Sequence, residues 1–425
     1  MNLEIKKYPM YYAGVKQPYS KSVVVGNLFY SASMDGTSIE TGKITSNDVA
    51  EQAVNALDKA KDALREAGIS MDNIIKTVIY LKDMQDLEIV RQVEHKYYQQ
   101  RAPELIEEPP ASKVIQPHYH IKPESLIEID VTAVLSKDTS DWEVTKYPMY
   151  LAGIKQPYSR SAVVGNLIFC SGMDARSPET GKVSSRNITE QMEAALDNLK
   201  STLQGAGATM DKIVDTTIIL TDLKNYGLMR ETEAEYYQSH ARRLVDQPPA
   251  STFIKSASLA KPDCLVEIQA TAVVSEDRPG WKVIKYPEWC AGKKMVIPWV
   301  PSGMPHLSKA VVVGDFIIGG GTAARTAKGE ETIGTTISEQ MKVTLRVIKD
   351  TIEDAGGFMD NIIQTFILIK DMKDYQLMRQ AELEYYQQYA PRLVEEPPIS
   401  TVIQPHSLAR PDYLIEMDTL GVITR

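Results

Sequence analysis

Three short segments of this 425-residue chain close on the same residue: EEPPAS at 107–112, DQPPAS at 246–251 and EEPPIS at 395–400. Their serines, Ser112, Ser251 and Ser400, carry hydroxyls that can donate to or accept from a ligand in a cleft. Equally, Pro-Pro-Ala-Ser can simply lead into a strand. Acidic residues recur near the end of each copy. In LIEIDVTAV (126–134), Glu128, Asp130 and Thr132 alternate with Ile127, Ile129 and Val131, so a strand would put them on one face. A carboxylate on that face is a general base if a cleft encloses it and a solvated group if not. Arg91, Arg230 and Arg379 each stand three residues before a glutamate (Glu94, Glu233, Glu382), the spacing of a helical ion pair. His118 and His406 follow their serines by six residues, but Ala257 stands at that place in the middle copy. They read as structural, or as an acid or base in two sites. Lys16 and Lys155 read as solvated, or as a second anion clamp. No CxxC or HExxH pattern is present, so neither a metal nor a cofactor is expected.

The elements that must position these groups come in triplicate. KYPMYYAGVKQPYS (7–20) and KYPMYLAGIKQPYS (146–159) share twelve of fourteen positions. Tyr8-Pro9 recurs 139 residues on at Tyr147-Pro148 and again at Tyr286-Pro287. Pro109 steps 139 to Pro248 and then 149 to Pro397, which localises ten extra residues to MVIPWVPSGMPHL (295–307) of the third copy. A period of this length is a whole domain rather than a solenoid unit. Domains are expected at 1–139, 140–278 and 279–425, joined by short polar segments at 136–142 and 275–281. Within a repeat, apolar runs flank Gly26-Asn27 as in a two-residue hairpin. Residues 48–68 carry apolar positions at helical spacing, with Asp48 and Glu51 as a capping box and Gly68 as the stop. A strand over 73–83, a helix over 86–100 and two strands near 112–117 and 126–134 follow. A further strand is expected around Glu4 to Lys7. The order β-β-α-β-α-β-β predicts an α+β fold, two helices covering one face of a mixed sheet. The pairs Tyr97-Tyr98, Tyr236-Tyr237 and Tyr385-Tyr386 read as helix–sheet packing, and the methionines as core filler.

A hydrophobic share of 43% and a charged share of 24% suit a globular core, and the net charge of −9 argues against a nucleic-acid partner. The absence of an 18-residue apolar run predicts no membrane helix, and the charged start predicts no secretory leader. Three cysteines, Cys170, Cys264 and Cys290, suit a reducing compartment, hence a cytoplasmic location.

The PYS segment before a VVxGN hairpin, a helix ending in Ala-Gly, DNIIKTVIYLKDM and a closing EIxxxAV resemble the reactive-intermediate deaminase (YjgF-like) family, three times over. The resemblance implies chorismate-mutase-like subunits fused into an intramolecular trimer. A central β-barrel would carry three interdomain clefts for a small-molecule ligand, and the chain itself would be monomeric. It further implies hydrolysis of enamines or imines at a C–N bond, with Glu128, Glu267 and Glu416 positioning water. Tyr19 and Tyr158 would line two clefts, while the third copy has Leu307 there after His306. The family's Ser-Gly pair is intact only as Ser171-Gly172, against Ala32-Ser33 and Gly320-Gly321. The family's carboxylate-binding arginine maps onto Ser112, Ser251 and Ser400, which implies an altered substrate. Its cleft asparagine maps onto Arg91, Arg230 and Arg379, which would relocate the anion clamp. Clefts built on the first two copies look better equipped than those using the third. The alternative is a non-catalytic metabolite-binding or protein-interaction protein on the same scaffold.

Overall fold

A computed structural model describes residues 3–137, 141–290, 293–294, 307–326 and 331–424. The expected insertion at 295–307 lies outside these except for Leu307. Each repeat contributes five strands to one closed barrel of fifteen. In the first repeat their order across the sheet is Val15–Val25, Leu28–Ser31, Ile127–Val134, Ile74–Leu81 and Ala111–Ile115. All neighbours are antiparallel except the last pair. An outer strand, Ile5–Tyr12, pairs with Val15–Val25 and is longer than the sequence suggests. Gly26 turns the expected hairpin at φ +56°.

Helices Val49–Glu66 and Leu87–Arg101 cover the outer face. Val49, Ala53, Ala56, Leu57, Ala60 and Leu64 of the first helix are buried against Ile127, Ile129, Val131 and Ala133 of the strand. Asp48 caps that helix by accepting from the Ala50 and Glu51 amides, and Gly68 ends it at φ +77°. The reciprocal capping box expected at Asp48 occurs instead in the third repeat, between Thr336 and Glu339. Gln52, fully buried, donates to the Ser46 and Glu124 carbonyls and accepts from Leu126 N–H at 2.8 Å. It thereby fixes where the Glu128 strand begins. Gln191 and Gln340 repeat the device. The paired tyrosines are buried in the helix–sheet core as expected, and Tyr98, Tyr237 and Tyr386 also donate to Glu94, Glu233 and Glu382.

The repeats join where the proline pairs stand. Ser20, Ser159 and Ser308 each donate Oγ–H to the first proline's carbonyl of the preceding copy (Pro397, Pro109, Pro248), all at 2.6 Å. Their backbone amides donate to the second proline (Pro398, Pro110, Pro249) at 2.8–2.9 Å. Proline has no N–H, so each pair offers the seam acceptors only. One parallel strand contact then closes each seam: Ala111 with Ser159, Ala250 with Ser308, Ile399 with Ser20. Lys7, Lys146 and Lys285 add ammonium bonds to carbonyls across the same three seams. The joints bring Trp142 and Trp281 edge to face, 5.5 Å apart, in the apolar cluster that holds Leu3, Val25, Val164 and Val313.

Ser159→Ala should cost about 1–2 kcal/mol in urea unfolding, one buried hydrogen bond with its acceptor orphaned. Light scattering should give a monomer of 47.4 kDa, because the chain supplies its own three seams. A threefold larger particle would contradict that reading.

Candidate functional site

Each seam brings candidate residues of two repeats together, and at the seam of repeats three and one they line a cavity. The strand pairs Ala111–Ile115/Ile154–Val164, Ala250–Lys255/Ser308–Val313 and Ile399–Ile403/Val15–Val25 bring Ser112 near Glu267, Ser251 near Glu416 and Ser400 near Glu128. All three glutamates are buried. The acidic face of their strands is therefore the inner face of the barrel and its rim, not a solvated surface. The candidate serines are also buried, so Pro-Pro-Ala-Ser leads into a strand and lines a cleft at once.

The arginines converge on those serines. Arg91 donates Nη2–H to Ser112 Oγ at 2.9 Å and Nη1–H to Glu94 at 2.7 Å. Arg230 does the same with Ser251 (3.2 Å) and Glu233 (2.8 Å), and Arg379 with Ser400 (2.8 Å) and Glu382 (2.6 Å). These are not surface ion pairs: Arg230 is 1% exposed and Arg379 6%. A guanidinium has five donors, so further N–H groups remain for a ligand. Arg91 lies 5.5 Å from the Tyr158 ring centroid and Arg379 lies 5.9 Å from that of Tyr19, each across a seam. Arg230, facing the copy with Leu307, stacks on Tyr226 of its own repeat instead.

The clefts differ at one small residue. A Cβ added to Gly172 would stand 2.0 Å from Glu267 Oε1, and one on Gly321 would stand 2.4 Å from Glu416 Oε1. Both carboxylates occupy the space a side chain would take. Burial pushes each up to about 7; Asp174 adds to the effect on Glu267, while Arg176 and Arg325 oppose it in their own clefts. Glu267 Oε1 has no hydrogen-bond donor among the described residues. In the first repeat this residue is Ser33. Glu128 there bonds the buried His120 Nδ1 at 3.0 Å.

The surroundings diverge further. Beside Glu267, Asp174 takes Arg176 through both oxygens (2.9 and 2.8 Å), and Arg176 reaches the Tyr158 hydroxyl at 3.5 Å. Beside Glu128, a cavity of about 30 Å³ is lined by Tyr12, Tyr19, Asp35 and Lys122. Lys59 and Lys122 stand 2.5 and 3.6 Å from Asp35 and hold its carboxyl well below the usual range against burial. Beside Glu416, Arg325 pairs with Glu288. Ser171 ties its cleft together, accepting from Ser112 N–H at 2.7 Å and donating to the Ser159 carbonyl at 2.5 Å.

Comparison with known proteins follows this threefold pattern. The family model for endoribonuclease L-PSP matches residues 13–135, 152–274 and 300–423. The chain belongs to the endoribonuclease L-PSP family, in three tandem copies. This is the family also called reactive-intermediate deaminase or YjgF-like. One copy is 34% identical over 116 residues to a RutC family protein of Pyrococcus abyssi, covering 27% of this chain and 85% of that protein. A copy is 32% identical over 117 residues to the 2-iminobutanoate/2-iminopropanoate deaminase of Escherichia coli, covering 28% and 87%. A chorismatase crystal structure aligns with 83% of this chain and 93% of its own at TM-score 0.53 and 11% identity, a likeness of fold alone.

In this L-PSP chain the other sequence candidates lie outside the clefts. Lys16 and Lys155 donate to the Glu395 and Glu107 carbonyls at the surface. His118 and His406 face each other at 4.8 Å between ring centroids, where loops 116–119, 255–258 and 404–407 meet. His120, Arg176, Arg325 and the Asp35–Lys59–Lys122 cluster escaped the sequence reading. His120 has Leu259 and Leu408 at its equivalent positions, so no triplet announces it.

Gly172→Ser should drive Glu267 from its place and lower its pKa toward 4.5, measurable by isotope-edited infrared titration. Below about pH 4.5 burial of Glu267 costs nothing, because the unfolded carboxyl is protonated too; the cost grows as pH rises to about 7. Glu267→Gln should therefore stabilise the fold at pH 8 by on the order of 2–3 kcal/mol more than at pH 4.

Proposed function

We propose that the chain hydrolyses the C=N bond of a small imine, or of its enamine tautomer, in the cleft between repeats one and two. The observation that carries this reading is Glu267, an enclosed carboxyl with an unpartnered oxygen, set across a seam from Arg91 and Ser112. Water held beside Glu267 loses a proton to it as the water oxygen attacks the imine carbon. The substrate reacts as its protonated imine, so the C=N electron pair moves to nitrogen and leaves a neutral carbinolamine. Glu267 then returns that proton to the amine. An electron pair of the hydroxyl oxygen forms C=O as the C–N bond breaks, and the hydroxyl proton passes through the Glu267 carboxylate to the departing ammonia, leaving a carbonyl product and ammonium. A carboxyl pushed up to about 7 suits both halves of this transfer. The name of the Escherichia coli relative, an imine deaminase, supports the same reaction class.

Substrate choice should differ from that relative's. An arginine following Pro-Ala, the family feature to which Ser112 corresponds, would approach a carboxylate from the strand. Arg91 approaches from the helix, already paired with Glu94, and stacks on Tyr158. In this reading Arg91, Arg230 and Arg379 take over the anion contact, and the ligand's acidic group shifts toward the helix. Ser112, Ser251 and Ser400 orient the guanidinium.

The cleft of Glu128 favours the second reading, metabolite binding without turnover, because His120 occupies its carboxylate. Glu416 keeps a free position but lacks the tyrosine.

Imines generated in situ from amino acids by an amino-acid oxidase provide the assay, read as ammonia release above the spontaneous rate. Glu267→Gln should lower turnover by a factor on the order of 10²–10⁴, and Glu128→Gln should leave it nearly unchanged. Saturable ligand-induced melting shifts with no acceleration for any imine would replace the enzymatic reading with the binding one.

A further inference from the structure

The barrel interior holds a second polar chamber, separate from the clefts. Ile75, Val214 and Ile363 belong to the apolar cluster at one end of the barrel, and Tyr80, Ile219 and Leu368 to the cluster at the other. Between them on the same strands lie Lys76, Asp215 and Gln364, around a cavity of about 180 Å³. Lys113, Asp130 and Asp418 also line it. An enclosed layer this polar has to satisfy its charges.

The carboxylates largely do so. Asp130 accepts from Ser33 (2.5 Å), Tyr80 (3.0 Å) and Thr401 (3.2 Å). Asp418 accepts from Thr252 at 2.5 Å. Burial raises Asp130 to about 7 and Asp418 well above the usual range. The lysines do not. Lys113 is 8% exposed, and neither its ammonium nor that of Lys76 has a hydrogen-bond or ion-pair partner among the described residues. Lys76 Nζ stands 5.7 Å from the centroid of the Phe169 ring. The two lysines sit on adjacent parallel strands, Lys113 opposite Val78, two residues from Lys76. Asp215 faces both across the chamber without reaching ion-pair distance of either. Burial lowers both ammonium groups, Lys113 to about 7; Lys76 adds to the effect on Lys113, and Asp215 opposes it on both without pairing with either.

We propose that the barrel lumen binds a small oxyanion, a phosphate or a short carboxylate, bridged between Lys76 and Lys113. Two ammonium groups supply donors on one side and Asp215 accepts from a hydroxyl or protonated oxygen of the guest on the other. Aromatic walls from Tyr30, Phe169 and Phe366 exclude water around it. Only the first repeat supplies lysines here; the second and third place Asp215 and Gln364 at the position of Lys76, and Thr252 and Thr401 at that of Lys113. One such site is therefore expected per chain, whatever the clefts bind.

The purified full chain is titrated with inorganic phosphate, and separately with acetate, at ionic strength fixed with chloride, by calorimetry and melting temperature. At least one anion should give a saturable site, one per chain, that depends on the lumen lysines and adds to any binding at the cleft arginines, and the stronger of the two identifies phosphate or carboxylate as the natural chemistry. Lys76→Met and Lys113→Met should each weaken that binding by on the order of tenfold or more, while Tyr158→Phe in the cleft leaves it unchanged. Absence of saturable binding, or binding unaltered in both lysine variants, overturns the proposal. Should those variants fail to fold, a crystal of the unaltered protein grown with phosphate decides. Density between the two ammonium groups is expected, and its absence there, including density confined to the clefts, contradicts the assignment.

Discussion

One contact recurs three times and everything functional hangs from it: a serine hydroxyl and its own amide donating to two successive proline carbonyls of the neighbouring repeat. Two adjacent prolines offer carbonyls without amides, so the partner strand can dock in only one sense. That docking sets Ala111 against Ser159 and so carries Ser112 and Arg91 to the rim where Tyr158 and Glu267 wait. No repeat contains a complete cleft. Fusing the three copies removes the cost of assembling them and lets each seam change independently.

The copies have used that freedom. Gly172 and Gly321 leave space for a carboxylate to stand against the backbone, and Ser33 does not. Beside Ser33, Glu128 engages His120, and Lys59, Asp35 and Lys122 fill the nearby space with charge. Each cleft borrows from two repeats, so the two that use the third copy differ from each other. The cleft between copies two and three has Leu307 in place of a tyrosine, and its glutamate has no hydrogen-bond partner among the described residues, while that between copies three and one has the tyrosine and a committed glutamate.

The repeat, the hairpins, the helices and the alternation of the glutamate strand were all legible, because each is a local pattern. The seam was not. Ser20 and Pro397 are 377 residues apart, and nothing in PYS or in the proline pair names the other. The arginines could be read as helical ion pairs or as relocated clamps; the ion pairs form, but buried and turned onto the cleft serines, which only the fold reveals, and the clamp remains the proposal. The symmetric residues announce themselves as triplets, whereas His120, Arg176 and the lumen lysines exist in one or two copies and do not. Lys76 belongs to a strand whose pattern alone does not say what its polar positions face; closure of the barrel turns them onto the lumen.

The central claim is that the seam between copies one and two assembles the reactive cleft, with Arg91 as anion clamp and Glu267 facing the reacting carbon. Crystals soaked with a 2-oxo acid, the product class of imino-acid hydrolysis, test it most directly. The account predicts the acid in that cleft, its carboxylate on the Arg91 guanidinium and its carbonyl carbon toward Glu267. Binding confined to the cleft of Glu128, or a carboxylate held away from Arg91, would contradict it.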